Sequence, residues 1–471
     1  MIAAPHPHAA SSVRSRCYST YAAARICLGG RGFRMRTALL STGARVVTMA
    51  VSLVCGILTA RLVIGQGGVD VYAFFSLLVA LPGLVSFSDL GAGAVVVNSI
   101  AASPDIRRDE RLSRQALTVL RVQMIFAATV TAVNVVLLLT GGWRALLGSA
   151  AENIPHADLA AFVCVGLFAA WMWLGMWQRI LLGMGRNPLV ILLQGIVSPL
   201  TLLFVWLMLS TGDAALHSFL AVGSFAATLV SALLGTAVAA KASGGLLPRA
   251  VARSLRPRRH AGARVMDVGW PMLAQLLATP LSMVLPRFIL AQGATAVAVA
   301  QYGVAGQVFF ALQALVAAAG VTLWPAFTKA RSRGELRRGP FLLALGFGAG
   351  IALICAVILL IGPWLFDLIS DGELVVPAGL ILAFGAMVTV QAVLYPLGMF
   401  IMDKQGIRFQ VVPALAMALS TVVLTIVLVG PLGVLAPPVA NAASVVVFQV
   451  LPFTWYIRRH RGRLYGDDAG S

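Results

Sequence analysis

Residues 341–366 read FLLALGFGAGIALICAVILLIGPWLF, 26 consecutive residues without a charge. A bilayer core about 30 Å thick needs roughly 20 apolar residues to be crossed as a helix. Lipid offers no partner to edge N–H and C=O groups, so such a segment cannot be open sheet. It is preceded by KARSRGELRR (329–338) and followed by DLISDGE (367–373). This asymmetry, basic on one side and acidic on the other, repeats along the chain. Twelve apolar segments recur, at 37–64, 72–98, 116–141, 158–183, 188–210, 215–240, 264–291, 297–326, 341–366, 375–401, 409–430 and 434–457. The expected class is an all-α polytopic membrane protein with twelve transmembrane helices.

Only 11% of the 471 residues are charged, against about 25% in soluble domains. The net charge of +19 would suit a nucleic-acid binder, but its distribution argues otherwise. Arg14, Arg16, Arg25, Arg31, Arg34 and Arg36 precede the first segment, and the basic residues of every second gap follow the same phase. Arg107, Arg108, Arg111 and Arg114 fill one such gap, and Arg253, Arg256, Arg258 and Arg259 lie in another. The alternate gaps hold Asp70, Glu152, Asp158, Asp213, Asp367, Asp371 and Glu373, with Arg144 almost alone as a cation. Cytoplasmic loops of membrane proteins carry the excess of Lys and Arg. Both termini are therefore expected in the cytoplasm, with the chain multi-pass in an inner-type membrane. Its basic loops would meet anionic lipid headgroups, and no nucleic-acid partner is implied.

The longest internal basic loop, 241–263, divides the spans six and six. The expected organisation is a basic tail (1–36), a six-helix lobe (37–240), this loop, a second six-helix lobe (264–457) and a tail (458–471). Met35 could be the true start of translation. RLVIGQGG (61–68) and RFILAQGA (287–294) close the first and seventh segments alike, and Tyr72 and Tyr302 open the segments that follow. With an even number of spans per half, this suggests a parallel repeat. The alternate loops are short; the longest, 142–157, leaves no room for an outer catalytic domain. There is no GxxxxGK[ST] loop and no Cys spacing suited to zinc or disulfides. No catalytic residue, metal or cofactor is expected.

A charge at mid-bilayer is costly and normally faces a cavity or a partner. Arg45 lies about eight residues, roughly 12 Å, inside the first segment. With Thr48, Ser52, Gly56 and Thr59 it forms a polar stripe that either lines a wet cavity or packs on other helices. Asp89 lies at a similar depth on the second segment, as an ion-pair partner of Arg45 or a coupling carboxylate. Arg121 and Arg179 either snorkel or form a cationic entrance. Arg61 and Arg287 sit at the opposite ends. The seventh segment joins Pro271, Pro280 and Pro286 to Asp267, Gln275, Thr279 and Ser282, a kinked and polar-faced helix. Of Gln301, Gln307 and Gln313, Gln307 is expected to face inward. Trp171, Trp173 and Trp177 serve packing or sugar stacking.

Residues 56–101, GILTARLVIGQGGVDVYAFFSLLVALPGLVSFSDLGAGAVVVNSIA, resemble the opening of Wzx-type polysaccharide-unit flippases: an "AR-L-G" helix end, a Tyr-led second helix, then "DLG-G". QYGVAGQVFFALQALVAAAGVTLWPAFTKA (301–330) is similar to the family's eighth helix, and LVGPLGVLAPPVANAASVVV (428–447) to its entry into the last. Ala73 stands where the family usually has Gly, and Pro437-Pro438 replaces Ala-Ala. The resemblance implies the fold of the multidrug/oligosaccharidyl-lipid/polysaccharide exporters, two six-helix lobes around a central cavity. It implies translocation of polyprenyl-pyrophosphate-linked oligosaccharide units by alternating access, for O-antigen, capsule or exopolysaccharide. A polysaccharide polymerase and export machinery would be partners. Arg45 best fits the family's cationic cavity, with Arg287 second; Ser52, Gln275 and Gln307 join them as substrate-binding candidates, and Asp89 and Asp267 as coupling or ion-pair candidates. The rival readings are an Na⁺- or H⁺-coupled multidrug exporter and a membrane-embedded polymerase.

Overall fold

The computed structural model describes residues 43–85, 92–103, 106, 109–254, 270–332 and 339–465. Among them the regular structure is all helical. In the first half these are α1 (Gly43–Gly67), α2 (Val69–Leu84), α3 (Ala92–Ala102), α4 (Glu110–Leu139), α5 (Ala157–Gly183), α6 (Asn187–Ser210), α7 (Ala214–Ala242) and α8 (Leu246–Ser254). In the second half come α9 (Trp270–Met283), α10 (Leu285–Gly293), α11 (Ala296–Arg331), α12 (Phe341–Ser370), α13 (Ala378–Phe400), α14 (Lys404–Leu432), α15 (Ala436–Val445) and α16 (Leu451–Arg459). A π-helical turn, Val446–Val450, joins the last two.

Nine helical stretches among the described residues are long and apolar enough to cross a membrane. One of them, Gln405–Arg459, runs for 55 residues, about 80 Å of helix at 1.5 Å per residue. It folds back on itself at Gly433, whose φ of +53° suits glycine and few other residues. The two legs, α14 and α15, then pack side by side, and Pro437 and Pro438 open α15 where a missing N–H costs nothing.

Caps explain where helices outrun the apolar segments. Asp109 accepts a 3.0 Å bond from the Leu112 N–H, so α4 starts six residues before the expected 116 and takes in Arg111 and Arg114. The same bond holds the Asp109 carboxyl below the usual carboxylate range. Asp403 likewise accepts from the Gly406 N–H at 3.2 Å, and α14 begins ahead of the expected 409.

The buried core has a branched plan. At the end carrying the acidic loops, one cluster joins both halves: Ile64, Tyr72, Phe74, Leu147 and Phe225 pack continuously with Phe288, Tyr302, Phe309, Phe366 and Phe384. At the end carrying the basic loops there are two separate clusters. One contains only first-half residues, among them Ile100, Leu112, Trp177 and Leu246. The other contains only second-half residues, among them Phe327, Leu397, Phe400 and Tyr456. The halves are thus fused at the acidic end and cored independently at the basic end.

Polar ties between the halves cluster at the fused end. Arg61 of α1 pairs with Asp371 at 2.6 Å and donates to the Leu368 carbonyl at 3.3 Å. Gln292 of α10 donates to the carbonyls of Ala145 and Leu146 at 2.7 and 2.9 Å, and the Ser149 hydroxyl donates to Ala291 at 3.0 Å. Gly148 has φ +53°, and a Cβ there would sit 2.3 Å from the Ala291 oxygen. Gly148→Val is therefore expected to cost about 1–3 kcal/mol or more and to lower Tm in detergent-solubilised protein. Gly346→Ala, with open space around it, should leave Tm unchanged or raised.

Candidate functional site

A cavity of ≈ 400 Å³ lies within the first half. Its hydroxyls come from α1 (Thr59), α6 (Ser198, Thr201) and α7 (Ser224, Thr228), and its aromatic wall from Phe75, Phe168, Trp171 and Phe225. Phe168 and Trp171 are stacked, with ring centroids 5.4 Å apart and planes inclined by 18°. Thr59 and Thr228 donate their hydroxyl protons to carbonyls one turn back, Cys55 and Ser224, at 2.8 and 2.9 Å. Their oxygens are thereby left as acceptors. Helix α6 is interrupted at Ile196, next to Gly195, where a Cβ would meet Thr48 Cγ2 at 2.5 Å.

One lining residue comes from the other half. Gln307 of α11 reaches this cavity, and a Cβ at Gly56 would lie 3.9 Å from its Oε1. That Oε1 is buried without a hydrogen-bond partner. A buried unpaired carbonyl forfeits about 1–3 kcal/mol, which a ligand donor entering the cavity would recover.

The α1 stripe divides between two roles. Gly56 and Thr59 line the cavity, whereas Thr48 packs on Gly195 of α6. At about 100° per residue, Arg45, Ser52, Gly56 and Thr59 fall within about 60° of arc. Arg45 is exposed and lies about 16 Å from Gly56 along the axis, toward the basic end. Among the described residues its guanidinium has no hydrogen bond or ion pair, and Ser52 is half-buried.

The other expected positions are spread more widely. Arg287 donates to the Ser76 carbonyl of α2 at 3.2 Å and stacks over Tyr302 and Phe310 at 5.2 and 5.6 Å. It is thus a tie between the halves near the fused end. Arg121 donates to the Ser254 and Arg253 carbonyls at 3.5 and 3.4 Å, capping the C-terminus of α8. Arg179 is half-buried near the basic end of α5. Trp177 is buried in packing, where a Cβ at Gly235 would touch its ring, and Trp173 is half-exposed. Gln301 donates to the Val375 carbonyl at 2.8 Å. Asp89 and Asp267 lie outside the described residues, as does the side chain of Gln275. Among the described residues no cluster of His, Cys, Asp or Glu could hold a metal.

Sequence reasoning missed the hydroxyls of α6 and α7. Their i,i+3 and i,i+4 spacing (198/201 and 224/228) was visible, but Ser and Thr on apolar helices usually bond back to the helix, and the pattern carries no direction. The Arg61–Asp371 pair was missed because its partners are 310 residues apart.

Residues 35–331 match the family described as "Polysaccharide biosynthesis protein". No curated protein sequence matches the chain significantly. Among solved structures, an inward-facing multidrug resistance MATE family transporter of the MOP superfamily superposes with TM-score 0.63 at 18% identity, covering 92% of this chain and 100% of that one. The lipid II flippase MurJ, in an inward closed conformation, gives TM-score 0.63 at 11% identity, covering 89% and 87%. An outward-facing MATE family transporter gives 0.52 at 17% identity, covering 90% and 96%. These likenesses establish the fold.

If the cavity is wetted, a cysteine at Thr201 will be labelled by a small permeant thiosulfonate in native membranes, while Cys164, fully buried, will not. Equal protection of both would mean a closed, dry void.

Proposed function

We propose that this chain, which belongs to the polysaccharide biosynthesis protein family, is a flippase that carries polyprenyl-pyrophosphate-linked oligosaccharide across the bacterial inner membrane. The observation that carries this reading is the branched core: one apolar cluster fuses the halves at the acidic end, while two independent clusters leave them separable at the basic end. Counting α2 with α3, α9 with α10, and each leg of Gln405–Arg459 as passes gives twelve spans in two six-helix lobes. The positive-inside rule puts the basic end and both termini in the cytoplasm, so the cleft between the lobes opens inward. The stronger likeness to an inward-facing relative than to an outward-facing one supports that state.

A pyrophosphate bearing sugars cannot shed its water in hydrocarbon at tolerable cost. It needs a hydrated route with fixed positive charge, and a guanidinium binds phosphate oxygens bidentately. Arg45 stands at the cytoplasmic approach to the first-half cavity, with Ser52 on the same face. Arg121 and Arg179 add positive potential there, although Arg121 also serves α8. Arg287 and Gln275 join at a later stage, once the halves part at the acidic end. Asp89 and Asp267 are the positions for coupling. The hydroxyls, the Phe168–Trp171 stack and Gln307 suit a sugar, which offers hydroxyls at its rim and C–H groups on its face. The polyprenyl tail stays in lipid. A surface-glycan polymerase would consume the product.

The likeness to multidrug transporters favours a second reading, export of a drug coupled to Na⁺ or H⁺. Among the described residues that line the first-half cavity there is no carboxylate, which disfavours it for cationic drugs. In a flippase-deficient host, Arg45→Ala is expected to cut surface glycan by about tenfold or more, as charge-assisted bonds contribute about 1.5–3 kcal/mol. Membrane protein levels should stay normal, lipid-linked units should accumulate, and Arg45→Lys should partly rescue. Wild-type export by Arg45→Ala would remove Arg45 from the mechanism. Drug sensitivity without any glycan defect in a deletion strain would replace the flippase by the exporter.

A further inference from the structure

Helix α11 separates two cavities. Gln307 lines the first; Gln313, six residues on, is about 120° around the helix and about 9 Å along it. It lines a second cavity of ≈ 360 Å³ enclosed by α9, α11, α13, α14, α15 and the π-helical turn. Among the described residues, no Lys, Arg, Asp, Glu or His lines this cavity. Its polar groups are carboxamides and hydroxyls, and the carboxamides are organised. Gln313 donates to the Gln391 side-chain oxygen. Gln391 donates to Asn441 Oδ1 at 2.9 Å, and Asn441 donates to the Ser282 carbonyl at 3.1 Å. The chain of bonds ends where α9 breaks, between Met283 and Leu285.

Part of this network is structural repair. Asn441 satisfies a carbonyl freed by the break in α9, and Gln410 does the same for Gly398 and Ile401 at the end of α13, each at 3.3 Å. Repair does not account for the remainder. Gln313 and Asn441 each use one N–H and keep another, Gln391 turns its second N–H to Met283 Sδ at 3.9 Å, a weak acceptor, and the oxygen of Gln313 keeps its lone pairs. Gln449 is more telling. It is 9% exposed, lines the cavity and has no hydrogen bond among the described residues. It stands in the π-helical turn Val446–Val450, a distortion that often marks functional positions. Gln449 therefore offers a molecule entering the cavity a donor and an acceptor that the described residues do not engage.

We propose that this second cavity is a binding site for an uncharged, hydroxyl-rich sugar unit, held by Gln313, Gln391 and Gln449. A carboxamide presents a donor and an acceptor side by side, and adjacent sugar hydroxyls present the complement. Phe453 and Tyr395, which also line the cavity, offer apolar surface to the C–H face of a pyranose. Among the described lining residues an anionic headgroup would find no cation, and a divalent cation no carboxylate, the usual core of hard-cation sites. The proposal rests on the flippase reading and deepens it: the anionic head is recognised at the α1 stripe, and a distal part of the glycan in the other half.

The test uses full-length purified protein and two probes. One is the pooled oligosaccharide released by mild acid from the host's polyprenyl-linked fraction, and the other is farnesyl pyrophosphate, a head without sugar. The oligosaccharide pool is expected to raise the Tm of wild type. Gln449→Leu, which disturbs no protein hydrogen bond, should weaken that binding about tenfold, the loss of roughly one net polar contact. Gln449→Trp, which fills the space, should abolish it. Both variants should keep the wild-type response to farnesyl pyrophosphate. An oligosaccharide response identical in wild type and both variants, or absent from wild type, overturns the proposal. Replacing Na⁺ by K⁺ should leave the oligosaccharide response intact; its loss would mean that the amides hold a cation instead. Failure of farnesyl pyrophosphate to shift wild type counts against the flippase reading alone.

Discussion

Hydrocarbon supplies no hydrogen bonds, so every polar group placed inside it must be satisfied by the protein or by water the protein admits. That constraint makes the chain helical and governs what happens wherever a helix is interrupted. Helix α9 stops after Met283, and Asn441 bonds the Ser282 carbonyl. Helix α13 ends near Gly398, and Gln410 bonds the carbonyls released there. Helix α6 breaks at Ile196, and the Ser231 hydroxyl donates to the nearby Leu193 carbonyl at 2.7 Å. Two of these three interruptions border one cavity and the third borders the other. Polar side chains that began as backbone partners thus also line the chambers, and an amide or hydroxyl with bonding capacity to spare can pass from repair to recognition.

The same economy governs the seam at the acidic end. The sequence repeat aligns Arg61 with Arg287 and Gln66 with Gln292, and the structure uses both copies across the seam. The end of α1 touches the loop after α12 through Arg61 and Asp371. The end of α10 touches the loop after α4 through Gln292 and the carbonyls of Ala145 and Leu146. Each half therefore reaches into the other by an equivalent element. The Arg61–Asp371 pair is roughly half exposed on both sides, and such pairs contribute little net stability. The apolar cluster around Tyr72, Tyr302 and Phe384 holds the halves together. The polar contacts set register, and because each is individually weak, they can be broken without loss of the fold.

Much of this architecture was legible in the sequence, because burial in lipid demands long apolar runs and loop charge sets their direction. The helical class and the nine long apolar helices among the described residues follow from local pattern; Gln307 lines a cavity as expected, but Gln313, not expected to face inward, lines the other. Helix ends were less legible: Asp109 and Asp403 are caps, and a cap extends a helix into charged sequence that hydropathy reads as loop. The site was legible only in part. Arg45 stands out because a cation is conspicuous in an apolar segment. Ser198, Thr201 and Ser224 do not, since a hydroxyl on a helix looks alike whether it bonds back or faces a chamber. Arg121 carries a contact that its charge alone does not announce: its guanidinium caps α8. Gln449 was not legible, because nothing in the sequence announces the π-helical turn in which it stands.

The distribution of charge around the two cavities has its own logic. A site that carries a substrate through must bind firmly enough to admit it and weakly enough to release it. A guanidinium deep in a dry chamber would hold a pyrophosphate too tightly, because Coulomb energy rises steeply as the dielectric falls. The described lining of both chambers is uncharged, hydroxyls and aromatics in one case and carboxamides in the other. Arg45 lies outside both linings and is exposed. The cation nearest the fused end, Arg287, is already engaged by the Ser76 carbonyl and two aromatic rings, so an anion arriving there must displace existing contacts to bind. On the proposed function, attraction would thereby be graded: freest at the basic end, and offset at the fused end by the contacts Arg287 already makes. An anion that won Arg287 from Ser76 would loosen α10 from α2, and occupancy and opening of the seam would then be coupled by a single guanidinium.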